Sequence, residues 1–412
     1  MDIKIINNRF SLLGNRTIPL LTIDGELDLY SAGYLIRMLN EGSLPPTIRN
    51  HAKGIRALYL FCEKQGINLP ERMRQLDNLR LPEIESLRDW MSVRTDTGEL
   101  QSEGTYKLRF KAAKAFIFYY WDTYQSRASN NPERLNHARL KHKVMENAFK
   151  TAEEAPYTRS AKNYQGLTPE LKIKFLEIII PFKENELNPF KSEHVRWRNY
   201  VLLLTMILGG NRRSESVLMQ LQDITLHGRD KYFEIVKSNN PLPKNSPHAQ
   251  APGIKTKGRK IGLSDDMASI FEFYIRRMRT KFKGSAKSTD LFLSTRNGLP
   301  LAVHTPNAVI DTINEAYPEF KGHLTPHRLR NTFHDMLSDA LDEKLDEEMG
   351  NESPMMKESQ KQVIQEHAGG WNRGSSMTAH YPAGAIERRV IGITRKAQKA
   401  ALNPRKDKEE TE

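Results

Sequence analysis

The feature that most constrains the fold is a polar stretch without periodicity, TAEEAPYTRSAKNY, at residues 151–164. On either side of it, apolar residues recur every three or four positions, the spacing of helices that bury one face. At 412 residues, the chain is long enough for two or three domains, each with its own core. We therefore predict two mainly helical domains joined by a linker at 151–167.

Short β-like segments interrupt this helical pattern. One pair lies in the first 40 residues, where Asp24-Gly25 supplies a turn, and predicts a hairpin before the helices. A second pair, at 232–236 and 260–264, flanks a basic turn. The predicted fold is mainly α with a small antiparallel β-sheet. Its parts are a hairpin extension at 1–40, a helical domain at 41–150, a second domain at 168–402 and a disordered tail at 403–412.

Composition excludes several classes of protein. Hydrophobic residues make up 38% and charged residues 27% of the chain, which is typical of a folded protein and not of a disordered one. No apolar run reaches the roughly 18 residues of a transmembrane helix, and the first residues do not resemble a signal peptide. A single cysteine, Cys62, excludes a disulfide framework. We expect a cytoplasmic protein with no membrane partner.

The charge balance indicates a polyanionic partner. Lys and Arg number 63 against 50 Asp and Glu, a formal net charge of +13, and nucleic acid is the commonest polyanion. Two basic rows are the candidate DNA contacts, one on a helix predicted at 105–124 and one at 134–143. Such rows are usually solvated faces, but on a DNA-binding protein they contact phosphates. The candidates are Lys107, Lys111, Lys114, Arg139 and Lys141.

An acidic segment stands out in this basic chain. From Asp335 to Glu352 there are eight acidic residues and one lysine. The glycine and the spacing of a calcium-binding loop are missing. We therefore expect a solvated or partner-facing insertion at about 335–360.

Four separated sites carry residues suited to phosphate chemistry. Arg212 and Glu215 lie three residues apart, so the carboxylate can orient the guanidinium. His327 and Arg330 share the same spacing on a predicted helix. The basic turn at 254–263 presents Lys255 or Lys257, and 368–381 contains Trp371 and Tyr381. Each pattern alone is more often structural than functional.

The four sites together resemble the tyrosine recombinase (phage integrase) family. The family's motifs are Arg-x-x-Glu followed by an Asp, a hairpin Lys, His-x-Leu-Arg, a His or Trp after Gly, and a Tyr near the end. The resemblance covers about 168–395, and the helices before it resemble the family's core-binding domain more weakly. The matching residues, in chain order, are Arg212, Glu215, Asp223, Lys255, His327, Arg330, Trp371 and Tyr381.

This resemblance implies cleavage and rejoining of DNA through a 3′-phosphotyrosyl intermediate. Tyr381 would attack the phosphorus, and Arg212 and Arg330 would bind the non-bridging oxygens, because guanidinium pairs with phosphate in a bidentate way. Lys255 would protonate the departing 5′-oxygen, His327 would exchange a proton, and Trp371 would donate its indole N–H to the phosphate. No cofactor or metal is expected, because the covalent link conserves the bond energy.

Several alternatives stay open. Lys257 competes with Lys255, because hairpin register is hard to predict, and His367 competes with Trp371, which lies ten residues before Tyr381. Arg213 and His323 have the wrong spacing for the motif. The resemblance further implies a double-stranded recombination site as partner, four protomers on DNA, accessory recombination proteins and a nucleoid location.

The biological role is predicted as the integrase of a mobile element. One alternative is a DNA-binding or architectural protein that has the fold without the catalysis, and another is a topoisomerase-like enzyme or telomere resolvase. A helix predicted at 385–402 docks either on a neighbouring protomer or on its own domain. Its apolar residues are Ile386, Val390, Ile393 and Ala397.

Overall fold

The chain forms two compact units, Met1–Asn163 and Tyr164–Glu412. The computed structural model describes residues 2–10, 16–77, 79–94, 97–127, 132–154, 166–236, 258–349, 353–370 and 383–402. Both units are mainly helical, and each contains a three-stranded antiparallel sheet. The prediction of a mainly α fold with a small antiparallel sheet is therefore confirmed.

The first unit begins with a sheet and continues with helices. Strand β1 (Ile3–Phe10) pairs with β2 (Arg16–Ile23), with Ile3 opposite Ile23, and β2 pairs with β3 (Glu26–Leu27). The helices described in this unit are α1 (Leu29–Asn40), α2 (Pro45–Lys64), α3 (Leu69–Gln75), α4 (Leu81–Ser92), α5 (Glu103–Arg127) and α6 (Pro132–Thr151).

Helix α1 is a feature that the sequence does not predict, since the pattern of residues 1–40 indicates a hairpin alone. The Asp28 side chain caps it by accepting the Ser31 N–H at 2.9 Å, and the Tyr59 hydroxyl donates to the same carboxylate. Leu20 and Leu21 of β2 are fully buried against the same core as Leu35 of α1. The sheet and α1 therefore belong to the core of the first unit.

Helix α5 buries a wider face than its spacing predicts. The spacing predicts an apolar stripe of Leu108, Ala112, Ala115, Phe116 and Tyr119. Ala112 and Phe116 are buried and Ala115 and Tyr119 pack against the core, but Leu108 is 56% exposed. The core also includes Tyr106, Phe110, Ala113, Ile117 and Trp121. Apolar residues occur nearly all round this helix, so periodicity alone does not select the face.

The second unit is built around a buried central helix. Along α8 (Glu193–Ile207), every residue from Trp197 to Ile207 is buried. Thr168 caps α7 (Pro169–Ile179) by accepting the Leu171 N–H, as the sequence Thr-Pro-Glu at 168–170 indicates. The other helices described in this unit are α9 (Arg213–Val217), α10 (Asp265–Phe273), α11 (Thr305–Ala316), α12 (Pro326–Glu348), α13 (Pro354–Gly369) and α14 (Ala383–Leu402).

The sheet of the second unit lies between α9 and α10 in the sequence. Its strands are β4 (Ile224–Thr225), β5 (Tyr232–Ile235) and β6 (Arg259–Gly262), paired antiparallel in that order. The two predicted strand segments are therefore confirmed. The turn between them, residues 237–257, lies outside the described residues and includes Lys255 and Lys257.

The acidic segment is part of a helix. Helix α12 runs without a break through Asp335 to Glu348, where an insertion is expected from the sequence. Leu337, Leu341 and Leu345 are buried at intervals of four residues, so the apolar stripe of one helix continues through the acidic run. Asp335, Asp339, Glu343, Glu347 and Glu348 are exposed on this helix. The acidic run from 335 to 348 therefore belongs to a helix that also carries core residues.

Helix α14 packs on its own unit. The Gln398 amide is fully buried and donates to the carbonyls of Leu208 and Gly262, at 3.2 and 3.0 Å, while its oxygen accepts the Ser264 N–H. Val390 and Ile393 are buried against α12 and α13. Of the two predicted docking modes, the structure shows the one within the same chain; the Ile386 side chain lies outside the described set.

Candidate active site

Arg212 and Glu215 lie at the start of helix α9. Arg212 caps α9 in an extended conformation, and its backbone N–H donates to the Glu215 carboxylate at 2.8 Å. The Arg212 guanidinium reaches the other oxygen of that carboxylate at 3.3 Å. A carboxylate three residues into a helix returns to the cap for local reasons, which is why the sequence predicts this contact.

Helix α9 spans five residues, Arg213–Val217. It ends at Val217, and a separate turn at Leu221–Asp223 begins where the Asp223 carboxylate accepts the Gln220 N–H at 2.8 Å. This second cap stops the helix and leads into β4. Asp223 therefore has a local structural role.

Arg330 and Glu215 are the most buried of the predicted site residues within the described part of the chain. Arg330 lies on α12, whose start is capped by Thr325, and only 2% of its surface is exposed. Its guanidinium donates to the carbonyl oxygens of Gly210 and Gly369, the latter at 2.8 Å. Arg212 also donates to the Gly369 carbonyl, at 3.4 Å. The two predicted arginines therefore meet at the end of α13.

A third arginine, which the sequence motifs do not include, completes the cluster. Arg259 of β6 has a fully buried side chain and pairs with the fully buried carboxylate of Glu215 at 2.8 Å. Ile261, two residues on, is buried on the same strand. Side chains at i and i+2 share a face of a strand. This alternation is the signal that could have placed Arg259 inside a segment otherwise interpreted as a solvated hairpin.

Histidines next to the arginines are kept neutral. Burial, Arg330 and Arg212 lower the pKa of His327 below its usual value, so its imidazole is neutral at pH 7. Burial and the same cations, with Arg259, lower the pKa of His334 to about 3. His334 lies on α12, four residues after Arg330, and is not among the predicted site residues. His323 is exposed on the segment before α12.

Arg212, Arg330 and His327 open onto one cleft. Its volume is about 330 Å³. Guanidinium groups bind oxyanions through paired hydrogen bonds, and the fixed orientation of these groups suits a tetrahedral phosphate. Ser214 and Asn307, which the sequence does not single out, also line it. The lining includes Arg212, Arg213, Ser214, Asn307, His327 and Arg330.

Three predicted catalytic residues lie outside the described part of the chain. They are Lys255 (with its alternative Lys257), Trp371 and Tyr381. The last described residues before Trp371 are Gly369 and Gly370, where α13 ends with Gly370 in a left-handed conformation. The roles of Lys255, Trp371 and Tyr381 stay predictions. His367, the alternative to Trp371, lies in the last turn of α13.

The predicted DNA contacts of the first unit lie on α5 and α6. Lys107 and Lys111 form ion pairs with Glu103 and Glu153, each at 2.6 Å. Lys141 pairs with Asp77 at 2.8 Å. Of the other two, Lys114 lies 5.9 Å from the centre of the Phe118 ring, and Arg139 is exposed. Their contact with DNA stays a prediction.

Two further properties concern the described residues only. Among them, no three His, Cys, Asp or Glu side chains come together in a way that could hold a metal ion. None of the described helices combines the length and the apolar character needed to span a membrane.

Comparison with known proteins gives similarity to solved structures alone. No family model and no curated protein matches the chain. The XerH site-specific recombinase bound to difH substrate is 18% identical over 83% of this chain and 76% of its own, with a TM-score of 0.44. The Tn1549 transposon integrase in complex with transposon right end DNA is 16% identical over 88% and 98%, with a TM-score of 0.49.

A third solved structure of similar kind is the integrase from mycobacterium phage Brujita. It is 12% identical over 89% of this chain and 91% of its own, with a TM-score of 0.33. These identities are low and the TM-scores lie below 0.5. The function proposed below therefore rests on the geometry of the chain's own residues and on the motifs in its sequence.

Proposed function

We propose that the chain is a site-specific tyrosine recombinase that cleaves and rejoins DNA through a 3′-phosphotyrosyl intermediate. The observation that carries the proposal is the convergence of Arg212 and Arg330, 118 residues apart in the sequence, on the Gly369 carbonyl beside a buried Glu215. Two oriented guanidinium groups in one cleft with a neutral imidazole suit a phosphodiester at which negative charge develops.

The reaction follows from the groups in this cleft and from Tyr381. The Tyr381 oxygen attacks the phosphorus and forms a P–O bond, while the bond from phosphorus to the 5′-oxygen breaks. The phenol proton passes to a neutral base, for which His327 is suited by its lowered pKa. Arg212 and Arg330 bind the non-bridging oxygens throughout. Attack by a 5′-hydroxyl on the phosphotyrosine reverses the step and rejoins the strand.

The remaining roles follow from the family resemblance. Lys255, or Lys257 in a shifted register, donates the proton that the departing 5′-oxygen takes up. Trp371, or His367 in its place, donates a hydrogen bond to the phosphate. The duplex recombination site contacts the basic rows of the first unit. Four protomers exchange strands at two such sites, in the cytoplasm at the nucleoid, with accessory recombination proteins, and serve as the integrase of a mobile element.

Covalent adducts are the test of this proposal. We would express the chain in cells that carry its native element, denature rapidly, capture protein-linked DNA and sequence it. The matched control is Tyr381→Phe, which removes one oxygen. The proposal predicts adducts that map to a short inverted repeat and are lost in the control.

The alternative function, a non-catalytic DNA-binding protein of the same fold, predicts another result. Such a protein would bind the same DNA and yield no adducts in either sample. That outcome, obtained with native protein shown to occupy its site, would overturn the proposal.

A further inference from the structure

The carboxylate of Glu215 is shared among three arginines. Its Oε2 accepts the Arg212 backbone N–H and the Arg259 guanidinium, both at 2.8 Å. Its Oε1 lies 3.3 Å from the Arg212 guanidinium and 3.5 Å from Arg259. Arg330 approaches Oε2 only to 3.8 Å, beyond hydrogen-bond distance. Arg259 thus takes the position on Oε2 that Arg330 would otherwise compete for.

The same arginine connects this carboxylate to the sheet. Arg259 lies opposite Ile235 in the β5–β6 pair, at the end where both strands lead into residues 237–257. That segment contains Lys255, four residues before Arg259. On the far side, β6 is held by α14, whose Gln398 donates to the Gly262 carbonyl. The position of Arg259 is therefore fixed by backbone pairing and by a packed helix.

We infer that Arg259 is a positioning residue for DNA cleavage: by holding Glu215, it keeps the Arg212 and Arg330 guanidinium groups in place at the cleft where the phosphate would bind. This inference rests on the proposed function and adds to it a residue outside the family motif. Because Arg259 is fully buried, it acts through Glu215 and has no part in the DNA surface.

Charge sharing explains why a third arginine is needed. If the Glu215 carboxylate paired fully with Arg212 and Arg330, it would neutralise the positive charge of these two arginines, which is needed to bind the phosphate. Arg259 pairs with Glu215 Oε2 at 2.8 Å, while the carbonyls of Gly210 and Gly369 hold the Arg330 guanidinium at the cleft. A planar guanidinium can contact both carboxylate oxygens, which a lysine ammonium at the same place cannot do in a bidentate way. Arg259→Lys should therefore keep the positive charge beside Glu215 but lose the contact with both carboxylate oxygens.

The test separates cleavage from DNA binding and from stability. Wild type, Arg259→Lys and Arg259→Gln would be compared by single-turnover adduct formation on a nicked duplex of the mapped site, together with the Kd for that duplex and the Tm. The matched control is Arg279→Lys. Arg279 is also buried, and its guanidinium donates to the carbonyls of Ser285, Ser288 and Asp290. Rates are compared per folded molecule, because loss of one member of a buried ion pair is destabilising.

The inference predicts that Arg259→Lys slows adduct formation roughly 10- to 100-fold, the scale expected when catalytic groups are displaced by about 1 Å. The Kd and its salt dependence should stay within about twofold of wild type, since Arg259 touches no phosphate. Arg279→Lys should lower the Tm without slowing adduct formation per folded molecule. In a Glu215→Gln background, Arg259→Gln should add little further loss, because both changes remove the same ion pair.

Three outcomes would overturn the inference. The first is that folded Arg259→Lys protein forms adducts at the wild-type rate. Another is a rate loss matched by Arg279→Lys, which would make Arg259 merely structural. The third is additive loss in the double variant, which would mean that Arg259 acts independently of Glu215. Failure of the proposed function is distinguishable, because wild type itself would then form no adduct.

Discussion

The two units of this chain carry their positive charge in different ways. In the second unit, Arg259 and Arg330 are 3% and 2% exposed and are held by a buried carboxylate and backbone carbonyls. In the first unit, the side chains of Lys107 and Lys111 are 40% and 60% exposed and pair with surface glutamates. Fixed, buried donors stabilise developing charge, whereas exposed and screened ones supply attraction that depends on salt. Under the proposed function, Arg330 binds the reacting phosphate, Arg259 positions Arg330 through Glu215, and the lysine row supplies affinity for DNA.

Loss of an arginine that lines the cleft should give the largest effect. Arg212→Ala or Arg330→Lys should slow adduct formation by about 10² to 10³, the cost of losing one oriented donor to a developing oxyanion. The Kd for DNA should change only a few-fold, which a titration on the same duplex measures. Arg198→Lys, at another buried arginine of the unit, is the control for altered packing. A loss of DNA affinity as large as the loss of rate would mean that these residues contribute to DNA binding and not to catalysis.

The lysine row should show the opposite pattern. Replacing Lys107, Lys111 and Lys114 together by Ala should weaken DNA binding about tenfold and reduce the slope of log Kd against log salt by about 1 for each phosphate that is no longer neutralised. The rate of adduct formation from the bound complex should not change. Glu103→Gln, which releases Lys107 from its ion pair, should strengthen binding slightly. An unchanged salt slope in the triple variant would show a solvated face that does not touch DNA.

Acid should destabilise the buried cluster through His334. Its pKa is about 3 in the fold, below the usual value of 6.5. Between these two pH values the unfolded chain binds a proton at His334 that the folded chain does not, so the free energy of unfolding falls as the pH falls. Denaturant unfolding at pH 7 and at pH 4.5 measures the drop. In His334→Gln the drop should be smaller, by at most about 3 kcal/mol. Equal drops would contradict the lowered pKa of His334, which burial and the neighbouring arginines cause.

Chelation should give the smallest effect. The proposed nucleophile, proton donors and phosphate-binding groups are all side chains of this chain, so adduct formation in excess EDTA should match the untreated rate. A loss of cleavage that returns on adding a divalent cation would contradict this assignment. A loss of DNA binding with an unchanged rate of cleavage in the bound complex would mean that the cation supports DNA affinity and not catalysis.

Contacts between neighbours in the sequence were predictable, and contacts across the fold were not. The Arg212–Glu215 contact follows from a three-residue spacing at a helix start. The Arg259–Glu215 pair spans 44 residues and depends on strand register, which composition does not encode. The family resemblance predicts that Arg212 and Arg330 bind one phosphate, but it does not predict that both contact the Gly369 carbonyl.

The errors in the predicted fold have a related cause. The stripe on α5 is wrong at Leu108 because that helix is apolar on more than one face. The acidic run resembles an insertion because its charge conceals Leu337, Leu341 and Leu345 at helical spacing. In both segments the packing of distant elements decides which side chains are buried, and a single sequence does not contain that information.

The most direct test of the central claim is to identify the residue that becomes linked to DNA. Adducts formed by the native chain would be digested with trypsin and nuclease and analysed by mass spectrometry. The tryptic peptide 374–388, GSSMTAHYPAGAIER, contains a single tyrosine, Tyr381. We predict a nucleotide mass on that residue and its loss in Tyr381→Phe. A nucleotide on another residue, or adducts that persist in Tyr381→Phe, would contradict the account.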